Sequence, residues 1–178
     1  MIVMAVAGLE TGLITPATTA YCNGSTEVYG SRRLCWKKGG HGTVNLTDAL
    51  AHSCNVFFYQ VGVLLEIDRI AAWATRMGLG APTGVDVPHE LGGLMPSREW
   101  KQRVQKAPWY PGETVSVAIG QGQVSATPLQ MARVAAIVAN GGSRVTPHLV
   151  RATPDGRRAG QPAAGQRQVR PARYHRGP

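Results

Sequence analysis

The chain has 178 residues, 43% of them apolar, which is enough for one respectable hydrophobic core and too little for several domains. Its net charge of +9 would point to an anionic partner if it were spread over a folded surface, but residues 151–178 hold seven arginines against Asp155 alone, leaving residues 1–150 with 12 basic and 9 acidic side chains. Nucleic-acid binding loses its support, and the longest apolar run, Met1 to Leu9, is far short of the roughly 20 residues of a membrane helix.

Met1–Glu10 reads as a helix stopped at Gly12, with Pro16 closing any continuation. It has neither a polar cap nor the basic start of a signal peptide, so the expectation is that Met1 lies inside a longer chain. Thr18 to Gly42 turns to Gly, Ser, Thr, Cys and basic residues without a sustained period; it reads as an irregular excursion with one hairpin around Gly24 to Gly30. In the stretch His41 to Gln60, HGTVNLTDALAHSCNVFFYQ, Asn45 or Thr47 can cap a short helix from Leu46 to His52, and Asp48 suits its first turn. A more apolar helix starts near Val56. Ser53-Cys54-Asn55 then falls in a tight junction that aims a hydroxyl and an amide one way and Cys54 the other.

Val56–Leu65 is apolar on nearly every face and predicts a core helix; Asp68 then caps an amphipathic helix, Arg69–Met77, stopped by Gly78. Gly80–Gly84 is a turn and Val85–Pro88 at most a short extended piece. Ser97 caps a brief helix through Trp100. Residues 105–112 are expected as a surface loop and Thr114–Ile119 as a strand ending at Gly120-Gln121-Gly122. Thr127-Pro128 starts a helix that runs to Asn140-Gly141-Gly142. Val145–Arg151 reads as extended. Residues 152–178, rich in Gly, Pro, Gln, Ala and Arg, cannot bury enough surface to order themselves and are expected as a disordered tail.

Three cysteines cannot all pair within the chain. Cys22, Cys35, His41 and Cys54, spaced x12, x5, x12, make a complete set for tetrahedral zinc. A Cys22–Cys35 disulfide, with Cys54 as a small buried residue, is the other reading. A metal would account for the odd cysteine and crosslink a loop with little apolar surface. Ser53-x-Asn55 by itself is weak, since Ser53 could simply cap the next helix. Gln121 reads as a turn residue or a substrate contact, His52 and His148 as surface or packing histidines, and Trp36, Trp73, Trp100 and Trp109 as core or loop anchors.

LAHSCNVFFYQVG, followed by AIGQGQVSATPLQMARVAAIVANGG and VTPHLV, resembles the transpeptidase domain of class B penicillin-binding proteins, and WKKGGHG resembles the elongation-type branch, penicillin-binding protein 2. GLETGLITPATTAYC and GLMPSREWK also resemble segments of that branch, so the likeness covers roughly residues 1–151. The family uses Ser-x-x-Lys, Ser-x-Asn and Lys-Thr/Ser-Gly in chain order. Only the second is present in residues 1–178.

The resemblance implies an α/β fold, with residues 1–151 a partial transpeptidase domain made mainly of its helical subdomain plus a few strands, and a zinc-loop region at about 18–55. It implies part of a peptidoglycan D,D-transpeptidase that acts through an acyl-serine, binds β-lactams and is inactive as this chain alone. Ser53 would relay a proton to the leaving group; Asn55 would hold the donor peptide and the lysine of the first motif. Members of the branch can carry zinc near Cys35, His41 and Cys54; Cys22 is added as fourth ligand from the spacing, and the zinc is structural. Implied partners are peptidoglycan stem peptides, β-lactams and the cell-wall elongation machinery that sets cell shape, on the periplasmic face of the bacterial inner membrane; no nucleic acid is expected. The alternative from a different class is a non-catalytic zinc-stabilised binding module.

Overall fold

The computed structural model describes residues 1–149; residues 150–178, and with them the expected tail, lie outside the described residues. The chain divides into two compact units, one of residues 1–73 and 96–124, the other of residues 74–95 and 125 onward.

In the first unit α1 spans Ile2–Glu10. Four short strands follow: β1 Thr19–Cys22, β2 Ser25–Val28, β3 Ser31–Leu34 and β4 Gly42–Asn45. The stretch expected to be irregular is therefore two antiparallel pairs. β2 and β3 form the hairpin, turning at Tyr29-Gly30, both with positive φ (51° and 68°), as the twist of a two-residue turn requires. β1 pairs with β4, Cys22 opposite Gly42 and Thr19 opposite Asn45. That pairing spans some 20 positions and leaves no local period, which is why composition alone hid it.

Helix α2 runs Leu46–Ala51 and is capped by Asn45, whose side chain accepts from the Asp48 N–H. α3 covers Asn55–Arg76 and breaks at Glu66 (φ 58°, ψ 165°). The break falls before the expected Asp68 cap; Asp68 instead accepts from Arg98 Nε at 3.0 Å. α4, Arg98–Gln105, starts on the Ser97 cap as expected but continues five residues past Trp100. The expected strand at Thr114–Ile119 is helix α5, Pro111–Ala118. Its β-branched run alternates, yet the buried positions are Thr114, Val115, Val117 and Ala118, a helical spacing, and Pro111 opens the first turn while Glu113 accepts from the Tyr110 N–H. The preceding loop is not all surface: Trp109 is buried and donates to Thr114 Oγ1 at 2.9 Å.

The core of this unit is Met4, Ala7, Val56, Phe57, Phe58, Val61, Leu65, Val115 and Ala118. Gly62 lets α3 and α5 approach so closely that a Cβ there would lie 2.6 Å from Ala118 Cβ. Buried Lys101 pairs with Glu113, joining α4 to α5 under the Tyr110 ring.

The second unit holds the end of α3, the loop through Met95 and α6, Pro128–Ala139, which begins with the expected Thr127–Gln130 capping box. Buried Gln130 donates from Nε2 to Ala81 O and Gly92 O, and Arg133 donates to Thr83 O and Gly78 O. The Glu90 carboxylate accepts from the backbone of Thr83 and Gly84. This irregular loop is thus held by side chains rather than by a ladder. Residues 145–149, expected as extended, form no strand.

Candidate functional site

The helix junction at Ser53 is a Schellman ending. Cys54 N–H bonds to Ala49 O (2.9 Å), Ser53 N–H to Leu50 O (3.3 Å), and Ser53 takes the left-handed conformation at φ 51°. The same pair of bonds ends α3, α5 and α6, and there the left-handed residue is Gly78, Gly120 and Gly141, with φ of 86°, 80° and 76°. Among the described residues α4 also ends on a left-handed side chain, Lys106 (φ 55°), but only at Ser53 does this pair of bonds carry one. A left-handed non-glycine costs about 1–2 kcal/mol, a strain that is retained at functional positions. The Ser53 side chain is exposed, Cys54 is fully buried, and Asn55 is half-buried at the first turn of α3. The two faces expected of the triplet are therefore present. Asn55 Nδ2 and Tyr59 Oη both donate to Leu34 O, at 3.5 and 3.2 Å, tying the end of β3 to the start of α3.

Behind the junction the four expected ligands meet. One ligand atom each from Cys22, Cys35, His41 and Cys54 lies within 4.8 Å of the others, and all three thiols are free rather than paired. His41 Nδ1 is 3.7 Å from Cys22 Sγ and 3.6 Å from Cys35 Sγ. Tetrahedral zinc, with bonds of ~2.3 Å to sulfur and ~2.0 Å to nitrogen, would separate the two atoms by roughly 3.5 Å. The residues fit the metal.

The electrostatics suit that chemistry. Burial, then the Lys37 and His52 charges, hold His41 below the usual imidazole value, so it is neutral and able to bind. Burial alone would raise Cys35, but the backbone N–H groups of Lys37, Asn55 and Val56 and the Cys22 thiol bring it below its ordinary value. Burial pushes Cys54 up to about 12, so its proton must be displaced by a cation.

Two further residues, both in the WKKGGHG stretch, shape the junction. Trp36, expected as an anchor, donates from Nε1 to His52 O and Ser53 O, and Gly40 brings the loop against β1 so closely that a Cβ would lie 2.0 Å from Cys22 O. Gln121 lies in the turn after α5, its N–H on Ser116 O at 2.9 Å. His52 is exposed, its Nδ1 3.0 Å from Asp48 O, and His148 is also exposed.

The chain belongs to the penicillin-binding protein transpeptidase family, whose domain model matches residues 2–176. It is 45% identical over 149 residues to the peptidoglycan D,D-transpeptidase MrdA of Salmonella typhimurium, covering 83% of this chain and 24% of that protein. It is 44% identical over 152 residues to MrdA of Escherichia coli K12, at 84% and 24% coverage. Among solved structures it resembles Pseudomonas aeruginosa PBP2 in complex with WCK 5153 (38% identity, TM-score 0.85, 91% of this chain and 37% of that one). It also resembles Helicobacter pylori PBP2 in its complex with MreC (36%, TM-score 0.78, 83% and 28%). The fold is thus the mixed helix-and-strand arrangement of these transpeptidase domains, and the chain spans about a quarter of the length of the curated relatives it matches.

Proposed function

We propose that residues 1–149 carry the Ser-x-Asn part of a peptidoglycan D,D-transpeptidase. The observation that supports this most is Ser53: a hydroxyl stands at a helix ending where three equivalent endings of the same chain use glycine. In the complete enzyme the serine of a Ser-x-x-Lys motif, which residues 1–178 do not contain, attacks the carbonyl between the two D-alanines of a stem peptide. The nucleophile's proton passes by way of the Ser53 hydroxyl to the nitrogen of the departing D-alanine. The acyl group then moves to an amine on a neighbouring strand. Asn55 hydrogen-bonds the donor peptide and steadies the lysine of the first motif. A β-lactam acylates the same serine.

Cys22, Cys35, His41 and Cys54 hold a structural zinc in this reading, and bound zinc would neutralise the thiolates and crosslink the loop. Four protein ligands leave no open position for water, so the residues serve the junction rather than the reaction. The partners are those of wall elongation, by analogy with the PBP2–MreC complex and a peptidoglycan synthase complex. The site works on the periplasmic side of the inner membrane; among the described residues no helix is long and apolar enough to cross a membrane. Kinship with D,D-transpeptidases favours the enzyme over the non-catalytic binding module.

The test is to put residues 1–149 in place of the matching segment of the E. coli enzyme and measure acylation by a fluorescent penicillin. The hybrid should be acylated at its own serine, and S53A or N55A should slow it by about 10²-fold or more, the usual loss with an acid–base group. The 178-residue chain alone should form no adduct. Undiminished acylation of both variants contradicts the proposal.

A further inference from the structure

Ser53 and Asn55 can act only if the left-handed turn between α2 and α3 keeps its conformation, and the turn's own bonds do not reach all of its carbonyls. The last carbonyls of any helix lack partners within the helix; here the His52, Ser53 and Cys54 N–H groups meet those of Asp48, Leu50 and Ala49. The carbonyls of His52 and Ser53 point out of the turn. Both accept from one donor, the indole Nε1–H of Trp36, at 3.0 and 3.1 Å.

We propose that Trp36 is a positioning residue for the Ser-x-Asn junction: its N–H bridges two successive carbonyls and fixes the peptide plane that aims the Ser53 hydroxyl. The inference rests on the transpeptidase reading of Ser53 and deepens it. Trp36 is 63% exposed, so its ring is not there to fill the core. Its contacts are directional instead. Besides the two hydrogen bonds, it meets the His41 ring edge-on, with centroids 5.5 Å apart. It is joined covalently to Cys35, a member of the thiol cluster, so one loop supplies both the buried anchor and the exposed clamp. A planar donor with a single N–H suits two adjacent oxygens better than a flexible lysine, which would sample several geometries. The cost of the left-handed serine is then offset by a bridge that a glycine turn would not require.

The experiment is W36F, which keeps an aromatic ring against His41 and removes the N–H. In the isotopically labelled 178-residue chain loaded with zinc, the His52 and Ser53 carbonyl carbon shifts should move, and the Ser53 Cα and Cβ shifts should lose their left-handed character. Carbonyl shifts that stay unmoved in W36F overturn the clamp, whatever the activity. In the exchange hybrid, W36F should lower the saturating rate of penicillin acylation about tenfold. The half-saturating concentration, the reactive fraction and the zinc content should stay the same. A merely structural role would instead reduce the reactive fraction and leave the rate of the remainder intact, and that result would also overturn the proposal. If the shifts move but the unsubstituted hybrid is not acylated, the transpeptidase reading fails while the clamp stands.

Discussion

Replacing Ser53 with glycine should stabilise the protein while slowing acylation of the exchange hybrid. At φ 51° the Ser53 Cβ crowds the following carbonyl, at about 1–2 kcal/mol. Glycine removes that crowding but loses about 0.5–1 kcal/mol more conformational entropy on folding. The balance is a gain of roughly 0.5–1 kcal/mol, or about 2 °C in Tm for a chain of this size. S53A is the control: it loses the hydroxyl but keeps the Cβ and therefore the strain. Urea melts of the three proteins should rank S53G above wild type, with S53A no more stable than wild type. In the exchange hybrid both variants should be acylated far more slowly. Equal stability of S53G and S53A would refute the argument that a serine occupies a glycine position at a cost, and with it the main structural support for its role.

Three other perturbations follow from the geometry. Gly39 and Gly40 both have φ 79°, but only at Gly40 would a Cβ meet backbone, 2.0 Å from Cys22 O and 2.4 Å from Gly24 N. G39A should therefore cost only the conformational ~1–2 kcal/mol, whereas G40A should weaken zinc binding by at least tenfold more in a competition titration. R133M leaves the carbonyls of Gly78 and Thr83 without their donors, at about 1–3 kcal/mol each, so denaturant melts should show a loss of about 2–6 kcal/mol. Burial alone would raise the Glu90 carboxyl, but bonds from the Thr83 hydroxyl and the Thr83, Gly84 and Val85 backbone bring it below its ordinary value. A carboxylate depressed in the folded state stabilises above its unfolded value, about 4.3, and that contribution disappears as pH falls through the folded value. E90Q should accordingly be less stable than wild type at neutral pH and converge with it in acid; a constant difference from pH 7 to pH 3 would count against the role.

How much could be read in advance depended on whether the signal was local. The caps at Asn45, Ser97 and Thr127 act within three residues, and all three helices start where the polar oxygen stands. Gly78 and Gly141 likewise end helices where a left-handed residue is needed. The β-branched alternation in TVSVAI mimics a strand, but Pro111 and Glu113 set the first turn of α5. The break at Glu66 carries no glycine or proline. The thiol cluster was legible as a ligand set, but its assembly depends on β1 pairing with β4 across a loop that has no period of its own. The Schellman ending at Ser53 escaped because its marker residue is absent: the site is unusual through what has replaced a glycine.

In the proposed reading a metal held by Cys22, Cys35, His41 and Cys54 fixes the turn that presents Ser53 and Asn55. The most direct test is a cobalt titration of the reduced, metal-free chain, followed by absorption. Saturation is expected at about one equivalent, with strong thiolate-to-metal charge transfer and the visible bands of a tetrahedral site built from thiolate sulfurs and one imidazole nitrogen. Weak, octahedral-type absorption that never saturates, or a chain whose cysteines oxidise to a disulfide before metal can bind, would contradict it.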